Sequence, residues 1–176
     1  SDNRICDTRF YKCCGGLTEL YENTWDEHHH PYLISLTDSN TPNTNDLSIE
    51  QNAVDFIESE PDAFCNTKDK TILSQVLNDY DLETNDFYRW KVEYTQQELS
   101  SIVKERSGID FGNIQDLIPI KRGASGRIIE LKIIGTKKTM IFGKELEISK
   151  YLSHNHLYSS AFIVKRTPDN GFVLHG

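Results

Sequence analysis

The run Leu117-Ile-Pro-Ile-Lys-Arg122-Gly-Ala-Ser-Gly-Arg127-Ile-Ile-Glu-Leu-Lys-Ile-Ile134 decides how this chain folds. Two isoleucine-rich segments, suited to a pleated and half-buried surface, flank a short turn that holds two glycines. That is the pattern of an antiparallel hairpin, Leu117 to Arg122 against Arg127 to Ile134. Downstream, Thr139 to Phe142 reads as a strand, Lys144 to Leu152 as a short helix, and Ala161 to Arg166 with Phe172 to His175 as a final strand pair. Pro168-Asp-Asn-Gly171 joins that pair, with Pro setting one dihedral and Asn-Gly tolerating positive φ.

Upstream, Thr95-Gln-Gln-Glu98 has the form of a capping box, Leu99, Ile102 and Val103 make the apolar side of the helix it opens, and Gly108 ends it. Phe87 to Tyr94 alternates, with Tyr88, Trp90, Val92 and Tyr94 on one face and Arg89, Lys91 and Glu93 on the other, which predicts a half-buried strand. Two helices are predicted before it. Ser48 is placed to cap one that carries Ile49, Ala53, Phe56 and Ile57 and stops at Pro61. The other runs from Lys68 to Asp79, with Ile72, Leu73, Val76, Leu77 and Tyr80 on one stripe. Residues 4 to 12 and Pro31 to Leu36 read as short strands either side of a turn at Gly15-Gly16, and Thr37 to Asn45 has the composition of an exposed connection. The order of elements predicts an α+β fold, mainly antiparallel sheet with three to four short helices.

With 176 residues, 37% hydrophobic and 10% aromatic, the chain is long enough for one domain with a proper core. The domain reads as residues 1–176, with room for a small lobe or insertion around 37–82. A formal charge of −8 argues against a nucleic-acid partner, which calls for a basic field or stripe. There is no apolar run of membrane-spanning length, and Ser1-Asp-Asn-Arg4 lacks the regions of a secretory signal. The four cysteines fit an exported disulfide, a metal site or buried thiols, and spacing does not choose among them.

Several residues carry chemistry. Cys6, Cys13 and Cys14 lie near His28, His29 and His30 in sequence, and thiolate with imidazole is a ligand mixture that tetrahedral zinc prefers, with Cys13, Cys14, Cys6, His28 and His30 as the candidate ligands. Cys65, after Ala63-Phe64, reads as a small packed hydrophobe. Arg122 and Arg127 flank a turn able to present backbone donors, and an Arg fork can engage both oxygens of a carboxylate; the alternative is a surface turn with solvated ends. Trp25, Tyr88 and Trp90 can stack on sugar rings or pack in the core. Thr18 and Glu19 can bind sugar hydroxyls or close the Gly15-Gly16 turn, and Ser125 sits within the hairpin turn. No nucleophile elbow is present for a serine triad.

Two blocks of the chain resemble a known family. Phe10-Tyr-Lys-Cys-Cys-Gly-Gly-Leu-Thr-Glu-Leu-Tyr-Glu-Asn-Thr-Trp25 with Pro31-Tyr-Leu33 is followed by Arg122-Gly-Ala-Ser-Gly-Arg-Ile-Ile-Glu-Leu-Lys-Ile-Ile-Gly135, Gly143-Lys-Glu-Leu-Glu147 and Leu157-Tyr-Ser-Ser-Ala-Phe162. Their order resembles the SpoIID/LytB family, the stage II sporulation protein D and the LytB amidase enhancers. The resemblance implies a SpoIID-like fold that engages peptidoglycan glycan strands, in an exported protein of the periplasm or cell envelope. It implies lytic transglycosylase chemistry in the full-length protein, in which a Glu protonates the leaving oxygen and then takes the muramic C6 hydroxyl proton. The family's catalytic Glu belongs to an N-terminal Glu-Tyr-Leu…Val…Glu-Met segment with no counterpart here, so no catalytic residue carries over and the chain reads as an internal fragment. Trp25, Thr18, Glu19, Tyr88, Trp90, Arg122, Ser125 and Arg127 would position the strand, and a structural zinc held by Cys and His is permitted. The alternative within the resemblance is a non-catalytic activator of a cell-wall amidase.

Overall fold

A computed structural model describes residues 5–76 and 86–176. The fold is α+β: two three-stranded antiparallel sheets accompanied by short helices. In chain order the elements are α1 (Tyr21–Thr24), α2 (Glu50–Glu58), a 3₁₀ turn (Phe64–Asn66), α3 (Lys70–Val76), β1 (Lys91–Tyr94), α4 (Gln96–Ser107), β2 (Ile114–Arg122), β3 (Ile128–Gly135), β4 (Thr139–Gly143), α5 (Glu145–Tyr151), β5 (Ile163–Arg166) and β6 (Phe172–His175). One sheet has the order β2-β3-β4 and the other β1-β6-β5.

The isoleucine-rich hairpin forms as predicted, with Leu117 opposite Ile133 and Pro119 opposite Leu131. Pro119 is tolerated because β2 is the edge strand of its sheet and needs no donor on its outer side. Leu117, Ile128, Leu131, Ile133 and Phe142 of this sheet pack with Phe172 and Leu174 of the other. Leu99 and Val103 of α4 and Ile148 and Leu152 of α5 complete the core. The start of α4 is a capping box: the Thr95 side chain accepts from the Glu98 amide, and the Glu98 carboxylate accepts from the Thr95 amide at 2.8 Å. Gly108 closes the helix at φ 71, a left-handed conformation that costs glycine least. Asn170 takes the positive φ of the last turn, at 63°.

Elsewhere the structure departs from the sequence pattern. Residues 5–12 are not a strand; Ile5 and Phe10 are exposed and no neighbouring strand pairs with this segment among the described residues. Pro31 to Leu36 starts in a turn closed by the Leu33 amide on the His30 carbonyl, and pairing is confined to a bridge between Leu17 and Thr37. Ser48 does not cap α2, because its hydroxyl and amide both donate to Asp46 Oδ1 and the helix starts two residues later, at Glu50. Ala53 and Ile57 are its buried face. In the predicted strand from Phe87, β1 spans Lys91–Tyr94, with Lys91 opposite His175 and Tyr94 opposite Phe172, and Trp90 before it exchanges both backbone bonds with Gly176. The predicted helix from Lys68 is described from Lys70 to Val76, and Leu77 to Tyr80 lie outside the described residues. No described helix is long and apolar enough to cross a membrane.

Two substitutions separate cap from core. Thr95→Ala is expected to cost about 1 kcal/mol and lower the thermal midpoint by roughly 2–4 °C, whereas Leu131→Ala costs about 2–5 kcal/mol by opening a cavity. Thermal unfolding followed by circular dichroism checks both.

Candidate functional site: a cleft floored by a buried ion pair

The turn Gly123-Ala-Ser-Gly126 closes on itself, with the Gly123 amide donating to the Arg127 carbonyl at 2.8 Å and the Gly126 amide to the Gly123 carbonyl at 3.1 Å. This leaves the Ala124 and Ser125 amides pointing outward, and they meet a carboxylate. That carboxylate is the chain's own Glu19, buried to 3% exposure. It accepts from the Ala124 amide (3.1 Å), the Ser125 amide (3.1 Å), the Ser125 hydroxyl (2.6 Å), the Leu20 amide (2.9 Å) and Asn23 Nδ2 (2.9 Å). A Cβ on Gly123 would fall 2.4 Å from Glu19 Oε2, so the close approach needs glycine there. The anion-recognising turn read from the sequence is therefore satisfied from within the fold.

Both arginines are spent in the same way. Arg122, 3% exposed, donates Nε and Nη2 to the two oxygens of Glu50, Nη1 to the Gly126 carbonyl and Nη2 to the Phe162 carbonyl. It is a clamp between α2 and the hairpin rather than a solvated turn end. Arg127 donates to Glu145 Oε1 (3.1 Å), the Ser125 hydroxyl (2.8 Å), the Leu17 carbonyl (3.2 Å) and the Cys14 carbonyl (3.0 Å). Burial works against its charge, but the Glu145 and Glu19 carboxylates outweigh burial and raise its pKa. Glu145, at the start of α5, also accepts from the Thr24 hydroxyl at 3.2 Å. Through these bonds α1, α5, the hairpin and the Gly15-Gly16 loop share one polar network.

This network floors a cleft of about 350 Å³, within the range of roughly 300–1,000 Å³ typical of small-molecule sites. Ser125, Arg127 and Glu145 form its polar base. Its walls come from Tyr11 and Cys13, from Tyr88 and Trp90, and from Tyr158 and Ser159. Trp90 is 3% exposed and packs on Phe162, with only part of its ring reaching the cleft, while Tyr158 lies over it at a centroid distance of 5.8 Å and is 58% exposed. Burial pushes the Tyr88 hydroxyl up to about 12; that hydroxyl donates to the Pro61 carbonyl at 3.1 Å. Burial likewise raises Tyr11, beside Arg127.

Other sequence candidates lie elsewhere. Trp25 is outside the cleft, with the Arg9 guanidinium 4.6 Å from its ring centre. The Thr18 hydroxyl accepts from the Leu36 amide at 2.8 Å and donates to the Ile34 carbonyl, which makes it a staple of the N-terminal loop. Glu145, Tyr11 and Tyr158 carry no local signal in the sequence, because only the fold brings them to one cleft.

The proposed metal ligands separate. His28 pairs with Asp26 and His29 with Glu22, and His30 stacks edge-on against Tyr21 at 4.4 Å. Cys6 is exposed. Cys14 instead lies 3.7 Å from Cys65, sulfur to sulfur, with the Asp38 carboxylate beside them. Cys65 is thus not merely a packed hydrophobe. Hydrogen bonding to Cys65, then burial, pushes the Cys13 and Cys14 thiols up, while the same two thiols, by donating to Cys65, pull its pKa down.

Disrupting the network is expected to destabilise the fold. Glu19→Gln places an amide N–H against donors and costs about 1.5–3 kcal/mol, and Arg127→Met strands Glu145 and costs about 3–5 kcal/mol. Urea unfolding reads both, and an unchanged midpoint for Glu19→Gln would mean the turn keeps its shape without the carboxylate.

No curated protein and no solved structure matches this chain. One family model matches residues 19–176, from Glu19 of the buried network through the last strand of the second sheet. On that match, the chain belongs to the family described as Domain of unknown function (DUF8618).

Proposed function

We propose that the cleft binds peptidoglycan glycan strands. The observation that carries this reading is the pairing of an aromatic wall, Tyr11, Tyr88, Trp90 and Tyr158, with a fixed polar floor of Ser125, Arg127 and Glu145. Sugars present apolar ring faces and hydroxyl edges, so an aromatic surface above preset donors and acceptors suits them. The sequence resemblance to the SpoIID/LytB family points to the same ligand class and to an exported protein of the cell envelope.

The cleft binds without cutting. Acid-assisted cleavage of a glycosidic bond requires a carboxyl group with a proton to give. Glu145 is the carboxylate among the described cleft residues, and its oxygens already accept from Arg127 and Thr24. Transglycosylase chemistry in the full-length protein would therefore draw its acid from another segment.

Pull-down with peptide-free glycan strands, with mass spectrometry of the soluble products, tests the reading. The chain is expected to sediment with the strands and release no anhydro-ended fragments. Tyr158→Ala should weaken binding by about 1 kcal/mol, roughly fivefold in Kd, while Trp25→Ala leaves it unchanged. Absence of binding, or equal binding by Tyr158→Ala, would overturn the assignment of the cleft, and anhydro products would overturn the binding-only reading.

A further inference from the structure

Three chain segments far apart in sequence converge beside the cleft. The Cys13-Cys14-Gly15-Gly16 loop, Asp38 and the Phe64–Asn66 turn are laced together by backbone bonds: the Asp38 amide donates to the Gly16 carbonyl at 3.0 Å and the Phe64 amide to the Asp38 carbonyl at 2.8 Å. The Cys65 amide donates to Asp38 Oδ2 at 2.9 Å. On this scaffold the donor atoms of Cys14, Asp38 and Cys65 all lie within 4.8 Å of one another.

The spacing has a metrical meaning. Two thiolates bound to one tetrahedral zinc at about 2.3 Å stand roughly 3.8 Å apart, close to the 3.7 Å between Cys14 and Cys65. A disulfide needs the sulfurs at about 2.05 Å. Two reduced thiols in simple contact adopt a similar separation, so the third donor decides the matter. Here the Asp38 carboxylate faces the same point. Gly15 and Gly16 have φ 73 and 100, a conformation that turns the chain back beside Cys14.

We propose that Cys14, Asp38 and Cys65 supply three ligands of a tetrahedral zinc site that fastens the Gly15-Gly16 loop to the Phe64–Asn66 turn. This assignment stands apart from the glycan-binding reading and replaces the histidine ligands suggested by sequence proximity. It has a structural consequence for the cleft, because Cys13, Cys14 and Gly15 line it and the Cys14 carbonyl holds Arg127. Binding displaces protons from the thiols, so occupancy falls as pH is lowered.

The test is metal content and cobalt spectroscopy on the intact chain purified under reducing conditions and loaded with Zn²⁺ or Co²⁺. About one zinc per chain is expected, and the cobalt form should show the intense visible bands of tetrahedral thiolate coordination with a thiolate charge-transfer band. Cys65→Ser and Cys14→Ser should weaken metal binding by roughly tenfold or more, while Cys6→Ser and the His28→Ala, His30→Ala double variant retain it. Loss of metal from the histidine variant with retention in Cys65→Ser would overturn the proposal. So would a wild-type chain that gives no thiolate–cobalt band, whether its thiols stay free or Cys14 and Cys65 are recovered as a disulfide-linked peptide; this last readout does not depend on any variant folding.

Discussion

The Glu19 carboxylate, received by the amides of Ala124 and Ser125 and by the Ser125 hydroxyl, is the interaction on which the candidate site depends. It joins the N-terminal loop to the hairpin across more than a hundred residues, in a place too dry for an unpaired charge to be tolerated. Arg127 extends the contact to Glu145 on α5 and to the carbonyls of Cys14 and Leu17. Arg122 and Glu50 make the parallel connection to α2. Arg127 is matched by Glu145 and Arg122 by Glu50, while Glu19 is held by amide, hydroxyl and carboxamide donors, the condition under which buried polar groups specify one arrangement instead of weakening it.

From that network the rest of the site follows. The loop it fixes presents Tyr11, Cys13 and Cys14, while the strand leading into β1 presents Tyr88 and Trp90 from the other side. Arg89, between those two aromatics, donates to the Ile57 and Phe56 carbonyls at the end of α2, which holds this wall against the helix. The cleft is therefore preformed from three directions, and a ligand entering it need not order the residues that receive it.

The fold was largely legible in the sequence wherever local chemistry set the structure. The Thr95–Glu98 cap, the isoleucine-rich hairpin and the Asn170 turn each follow from a few neighbouring residues. Trp90, Val92 and Tyr94 kept their predicted face, although backbone pairing begins at Trp90 and not at Phe87. Residues 5–12 have a strand-like pattern without a partner strand, and a pattern alone cannot supply one. For the site, residue chemistry was readable and partnership was not. The turn between Arg122 and Arg127 does receive a carboxylate, but that of Glu19, 106 positions from Ser125. Cys14 and Cys65, 51 positions apart, meet only because Asp38 and the Gly15-Gly16 turn fold between them. His28 and His29 find local acidic partners instead, and His30 packs against Tyr21.

The central claim is that this preformed cleft is where a glycan strand is received. Amide chemical-shift mapping by NMR during titration with peptide-free, muramic acid-containing oligosaccharides addresses it most directly. The account predicts saturable shifts at Tyr11 to Gly15, Tyr88 to Trp90 and Ser159, with the Trp25 and Tyr32 region unmoved. Shifts confined to that region, or none at saturating oligosaccharide, would contradict it.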